Sequence, residues 1–187
     1  AFRQLNNKFK FGAELAFPIQ QLDNVKTEAG RVAIRFEDDT VVRVMDHSKL
    51  VINSYIYDPN PKKSEMALRF ASGTARFVTG KFNNKKAIKI QTPSADVFVR
   101  GTDFTITTTP ETGASLVILL PDQYGNSSGE ISVETAAGQV ILNQPYQATT
   151  TSTFNSAPTK PVTLDITLDL IDNMLIVNPP KERDDII

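Results

Sequence analysis

Cysteine and tryptophan are both absent from the 187 residues, and histidine occurs once. Without cysteine there is no thiol nucleophile, no Fe–S cluster and no thiolate zinc site. The lack also fits an oxidising compartment, where a stray thiol is a liability. One imidazole cannot supply the several nitrogen or sulfur ligands that zinc requires. There is no basic surplus either: 20 Lys and Arg stand against 21 Asp and Glu, which leaves no electrostatic footprint for nucleic acid. Long apolar runs are missing too. The longest, LVILLP at 116–121, has a strand's length and falls far short of the roughly 20 residues of a membrane helix, so membrane insertion is not expected. No glycine-rich phosphate loop is present, since Gly101 is single and no helical pattern follows it.

What the chain does have is period-two alternation of Val, Ile, Phe and Thr, the signature of half-buried strands. In RVAIRF, Val32, Ile34 and Phe36 point one way, while Arg31, Ala33 and Arg35 point the other. TVVRV follows the EDD turn, so residues 31–45 read as a hairpin. KLVINSYIY, MALRFASGTARFVTG (two strands hinged near Ser72-Gly73), KAIKIQT, ADVFVRGTDFTIT, ASLVILL and GEISVETAAGQVIL continue the series. Short strands at regular spacing with turn residues between them predict an all-β sandwich, roll or barrel. The length suits one domain, or one domain plus an extension, with enough residues to bury a core.

Four regions follow. Residues 1–21 form an amino-terminal segment, a short helix on Phe9, Ala13 and Phe17 or an extended piece, limited by Gly12 and Pro18. Residues 22–143 hold the β domain. Residues 144–161, rich in Thr and Ser, read as an extended linker or edge segment. In residues 162–187, VTLDITLDLIDNMLIV alternates, with Leu164, Ile166, Leu168 and Leu170 on one face and Asp165 and Asp169 on the other. A turn at Asp172-Asn173 would make this a hairpin that completes its own sheet. Alternatively it is an edge that pairs with a neighbouring subunit, with Leu164 to Leu170 as the contact. The final PPKERDDII reads as a frayed tail. The initial Ala matches what signal-peptide cleavage leaves behind, which suggests a processed, exported chain.

Candidate chemistry is sparse. His47 lies between Asp46 and Ser48, but successive side chains diverge, so the three do not converge as a catalytic trio. Glu37, Asp38, Asp39 and Asp103 are the acids a glycoside hydrolase would need as a pair. The first three sit in a hairpin turn, where Asp serves local hydrogen bonds. Asp122, Asn126, Ser128 and Glu130 in DQYGNSSGE are oxygen donors at even spacing, a loose calcium-loop pattern that a polar turn explains equally well. Asn126-Ser127-Ser128 matches a glycosylation acceptor, a short pattern common by chance. Of the four tyrosines, Tyr55 and Tyr57 share a strand face and could touch a sugar, with Tyr124 and Tyr146 as the others. No catalytic residue and no cofactor are expected.

Three blocks carry a family resemblance: VKTEAGRVAIRFEDDTVVRVMDHSKLVI, ALRFASGTARF, and IKIQTPSADVFVRGTDFTI. They are similar to the successive blocks of the FecR-type domain. The matching residues are Val25 and Thr27, Asp38 with Thr40, Ser48 with Leu50, Gly73, and Thr92-Pro93 through Arg100, Gly101, Thr102 and Phe104. The last block is the most specific, and the resemblance spans roughly residues 22–120, continuing more weakly to about 143. One departure is Asp39, which stands where the family has Gly. The resemblance implies a FecR-like β-sandwich or β-roll, extracytoplasmic (periplasmic, cell-surface or secreted) and non-enzymatic, working through protein contacts. In the family's best-known role an iron-siderophore signal passes from an outer-membrane receptor to a cytoplasmic sigma factor. That relay uses a cytoplasmic anti-sigma segment and a membrane helix that these residues do not contain. The leading expectation is therefore an interaction or structural module that self-associates through edge strands in a surface, envelope or virion-associated assembly. The alternatives are a periplasmic sensing domain that binds a receptor, and a carbohydrate-binding module or hydrolase.

Overall fold

The computed structural model describes residues 2–5, 9–12, 18–58, 60, 63–80 and 88–169. The named elements are all strands, and the fold is all-β. In chain order they are β1 (Phe2–Leu5), β2 (Phe9–Gly12), β3 (Asp23–Lys26), β4 (Val32–Arg35), β5 (Val41–Val44), β6 (Lys49–Ile56) and β7 (Glu65–Val78). There follow β8 (Ile88–Gln91), β9 (Asp96–Arg100), β10 (Asp103–Thr108), β11 (Ser115–Leu119), β12 (Glu130–Thr135), β13 (Gly138–Leu142), β14 (Gln147–Thr151) and β15 (Val162–Thr163).

One long strand organises everything. The amino-terminal half of β7 pairs with β6 and, in parallel, with β8. Its carboxyl-terminal half pairs with β5 and β10. The first sheet therefore runs β13-β12-β9-β8-β7-β6-β3-β1-β2, and the second runs β4-β5-β7-β10-β11-β14-β15. All pairings but β7–β8 are antiparallel. MALRFASGTARFVTG thus makes a single bent strand rather than two hinged ones. The bend has a cause. Lys49 faces Ser72 while Leu50 faces Phe70, so Ala71 is an extra residue on β7, and Gly73 follows at φ +95°. The bulge shifts the side-chain parity by one. Met66, Leu68 and Phe70 point inward before it, and Ala75 and Phe77 after it. Both halves of β7 thereby face one core, where Phe70 meets Phe77 edge-on at 6.3 Å.

That core lies between the sheets and takes its side chains from alternate positions: Val97 and Val99 of β9, Phe104 and Ile106 of β10, Ile131 and Val133 of β12. Phe77 stacks on Phe104 with ring centres 5.0 Å apart. In the amino-terminal segment β1 and β2 form an antiparallel pair and β1 lies against β3, while Ala13 and Phe17 of the helical reading lie outside the described residues. The Thr-rich stretch after Pro145 is likewise extended and enters the second sheet, as β14 on the outer side of β11. Its β-branched threonines suit a strand, and Thr149 and Thr151 are buried. After β15 the residues 164–169 leave the ladder. Leu170, Asp172 and Asn173 lie outside the described residues.

Candidate functional site

The residues that carry the family pattern gather at three knots where the sheets turn. In the first, the Thr27 hydroxyl donates to the Met45 carbonyl and accepts the Ser48 N–H at 2.9 Å. The Ser48 hydroxyl accepts the Thr74 N–H at 3.0 Å and donates to the Asp46 carbonyl at 3.0 Å. Gly73 is pressed against it: a Cβ there would stand 2.1 Å from Ser48 Oγ and 2.6 Å from Ser48 Cα. His47 is the exposed corner of the same turn, at φ 50°, and its N–H donates to the Glu28 carbonyl at 2.8 Å. The lone histidine serves the turn through its backbone.

The second knot is the β4–β5 turn. Asp38 is fully buried, and its carboxylate accepts the Thr40 hydroxyl, the Thr40 N–H at 3.3 Å and the Tyr55 hydroxyl at 3.4 Å. The Tyr55 oxygen in turn accepts the Asp38 N–H at 3.0 Å. Thr40 Oγ1 accepts the Gly80 N–H at 2.9 Å, which ties the hairpin to the end of β7. Burial first, and then the charges of Asp38 and Glu37, push the Tyr55 phenol up to about 12; the Asp38 N–H opposes them in part. Asp39 takes φ 69°, the left-handed conformation that Asp tolerates better than most residues, and its carboxylate accepts from Arg35 at 2.7 Å. That accounts for Asp39 in place of the family's Gly. The three turn acids point to different tasks: Glu37 is exposed, Asp38 holds the turn and Asp39 pairs with Arg35.

The third knot is the TPSADVFVRGTDF block. The Thr92 hydroxyl accepts the N–H groups of Ser94 (3.3 Å) and Ala95 (3.0 Å) and closes the turn that Pro93 opens. Ser94 then enters a buried chain of hydroxyls, 3.0 Å from Ser115 Oγ and 2.8 Å from Thr151 Oγ1, with Thr108 2.9 Å from Ser115. This chain stitches the first sheet's turn to β10, β11 and β14. Arg100 is exposed at the end of β9. Gly101 turns the chain at φ 56°, and Thr102 is clasped by Thr79, whose hydroxyl accepts its N–H at 2.6 Å. Asp103 is held by Arg76 through two bonds, Nε–Oδ1 at 2.9 Å and Nη2–Oδ2 at 2.7 Å. The forked guanidinium grip on Asp103 belongs to Arg76.

The remaining candidates are dispersed. Asp122 Oδ1 accepts the N–H groups of Tyr124 (2.8 Å) and Asn126 (2.9 Å), closing its own turn. The Ser128 hydroxyl donates to the Leu120 carbonyl at 2.6 Å. Glu130 begins β12 opposite Arg100. Among the described residues no group of three or more His, Asp and Glu is placed to hold a metal ion. Tyr57 and Tyr124 are exposed, and Tyr146 packs beside Ile118, Leu120 and Ala148. Leu164, Ile166 and Leu168 share one face and pack on that same cluster. An open groove of about 410 Å³ is lined by Arg69, Gln91, Thr92, Pro93 and Phe154.

Sequence reasoning missed the Arg76–Asp103 grip, the Asp38–Tyr55 bond and the hydroxyl chain. Each includes a bond between residues more than 15 positions apart. The only local signal is polar side chains recurring at inward-facing positions, as at Ser94, Thr108 and Ser115.

These knots define a class: an all-β domain whose hydroxyl, carboxylate and guanidinium groups are engaged in holding turns and joining sheets. The family model described as FecR protein matches residues 23–141, which spans most of both sheets and, Thr151 apart, the three knots. The chain belongs to the FecR family. No curated protein matches it in sequence. Among solved structures it is similar to two crystal structures, at 1.65 Å and 2.50 Å, of a protein from Parabacteroides distasonis ATCC 8503 provisionally described as an anti-sigma factor. In both the identity is 16% and the TM-score 0.57, covering 76% of this chain and 60% of the other. The likeness is one of fold, and the chain spans about 60% of its neighbour's length. No helix among the described residues is long and apolar enough to cross a membrane.

Proposed function

We propose that this chain is a non-enzymatic regulatory domain that works outside the cytoplasm by binding other proteins. The observation that carries the reading is the family match over residues 23–141, supported by neighbours described as an anti-sigma factor. The geometry agrees with it. Thr27, Asp38, Thr40, Ser48 and Thr92 of the motif spend their side-chain oxygens on turns, which leaves the sheet faces and edges to meet a partner. The lack of cysteine suits an oxidising compartment.

The test is to cross-link the tagged chain in its native cells, identify what is captured, and compare transcripts between wild-type and deletion strains. The reading expects a defined envelope partner and a change confined to a few operons. An unchanged transcript profile with no envelope partner would sink it. A structural subunit is the second reading, favoured by the edges of β4 and β13, each of which pairs with one strand among the described residues. Light scattering at rising concentration separates the two, because a subunit must assemble.

A further inference from the structure

The outer face of the second sheet changes character along one row. From β5 across to β15 the paired residues run Arg43, Arg76, Thr105, Ile118, Ala148 and Val162. The apolar end of this row lies outside the main core. Ile118, Leu120 and Ala148 form their own buried cluster, flanked by Leu116 and Tyr146. What closes it is Leu164, Ile166 and Leu168, which fall outside the residues that match the family. The body of the domain therefore carries an apolar face that a separate stretch of chain covers.

Among the described residues that stretch joins the sheet through a short ladder. Its ladder to β14 has two rungs, Gln147 with Thr163 and Ala148 with Val162. One further backbone bond follows, from the Leu164 N–H to the Tyr146 carbonyl at 3.0 Å. Val162 is 57% exposed, and the three covering side chains are only half-buried. Asp165 and Asp169 face outward between them. Val162 and Thr163 are strand, and Leu168 and Asp169 are helical, so the seat selects a segment that starts against a strand edge and carries apolar side chains at every second position with polar ones between.

We infer that the apolar end of the second sheet is a docking surface for such a segment of a partner protein, and that residues 161–169 fill it in cis as a displaceable strap. The inference rests on the reading that this domain acts by binding proteins. A partner gains the surface only by displacing the strap, so the strap sets the threshold for binding.

The experiment uses the full chain with Leu164, Ile166 and Leu168 all changed to Ser, and a labelled synthetic peptide of residues 161–169 as probe. Fluorescence anisotropy should show the serine variant binding the peptide at least about tenfold more tightly than the wild type, whose own strap competes. A peptide carrying the same three serines should not bind. A folded variant that ignores the peptide overturns the proposal, and so does equal binding by wild type and variant. Wild-type dimers that grow with concentration and vanish in the variant assign the face to a second copy, and also overturn it. Hydrogen exchange on the wild type covers the case of a variant that does not fold. The Leu164 N–H should exchange far faster than the amides of β10, and equal protection means that the strap does not open by itself. The peptide readout needs no native partner, so its failure leaves the regulatory reading standing.

Discussion

The body of the domain and its carboxyl-terminal strap are built from the same alternation of apolar and polar residues, yet they are fastened very differently. In the body each inward face meets another sheet, and fully buried side chains such as Phe70, Phe77, Phe104 and Leu119 interlock from both. Along the strap the inward side chains meet one sheet only, and Leu164, Ile166 and Leu168 remain half-buried. Alternation therefore says which face is apolar, while stability depends on how many sides enclose it. The largest effect expected from this contrast is at Phe77, stacked on Phe104 near the carboxyl-terminal end of β7. Phe77→Ala should cost about 3–5 kcal/mol, read as a fall in the urea midpoint of the whole domain. A loss below about 1 kcal/mol would mean that the two sheets do not share one core.

Next comes Gly73, where β7 passes from one sheet to the other. Its φ of +95° disfavours any Cβ, and the built atom would meet the backbone of Ser48 as well as its side chain. Gly73→Ala should cost on the order of 3 kcal/mol. Unlike Phe77→Ala it should also disturb the Thr27–Ser48 knot, which nuclear magnetic resonance shifts of those two residues would report.

The contrast also explains what was readable beforehand. The all-β class and the hairpin at 31–45 were legible, because alternation and turn residues are local signals. The continuity of β7 was not. Ser72-Gly73 looks like a break, and only the bulge at Ala71, set by pairing with β6, shows that the strand carries on with its parity reversed. Arg76 and Asp103 could not be matched because the β7–β10 register is a tertiary fact. The Thr-rich stretch 146–161 read only as an extended linker or edge segment. Its threonines satisfy their hydroxyls internally, as when Thr149 Oγ1 donates to the Thr159 carbonyl at 2.7 Å, and so they can be buried.

A smaller effect tests the rim of the body. Because burial keeps the Tyr55 phenol neutral up to about 12, an unfolded chain would ionise it first, near 10. The stabilisation is fully present below about pH 10 and is lost as pH rises from there through about 12. Tyr55→Phe removes this titration. The stability gap between wild type and variant should therefore narrow between about pH 9 and pH 12. A gap that stays constant over that range would mean that the Asp38–Tyr55 contact does not favour the neutral ring.

The smallest effect sharpens the contrast most. Leu164 is half-buried against one sheet face, so Leu164→Ala removes only part of the burial energy of a core leucine, roughly 1 kcal/mol. More telling than its size is where the loss appears. If strap and body are separate units, the global urea midpoint should scarcely move, while amide exchange of residues 162–168 quickens and that of β7 and β10 does not. A single cooperative unit would instead spread the loss over every protected amide. In that case β14, which is wedged between β11 and β15, would have to transmit the strain, and its Thr149 and Thr151 amides would be the first in the body to show it.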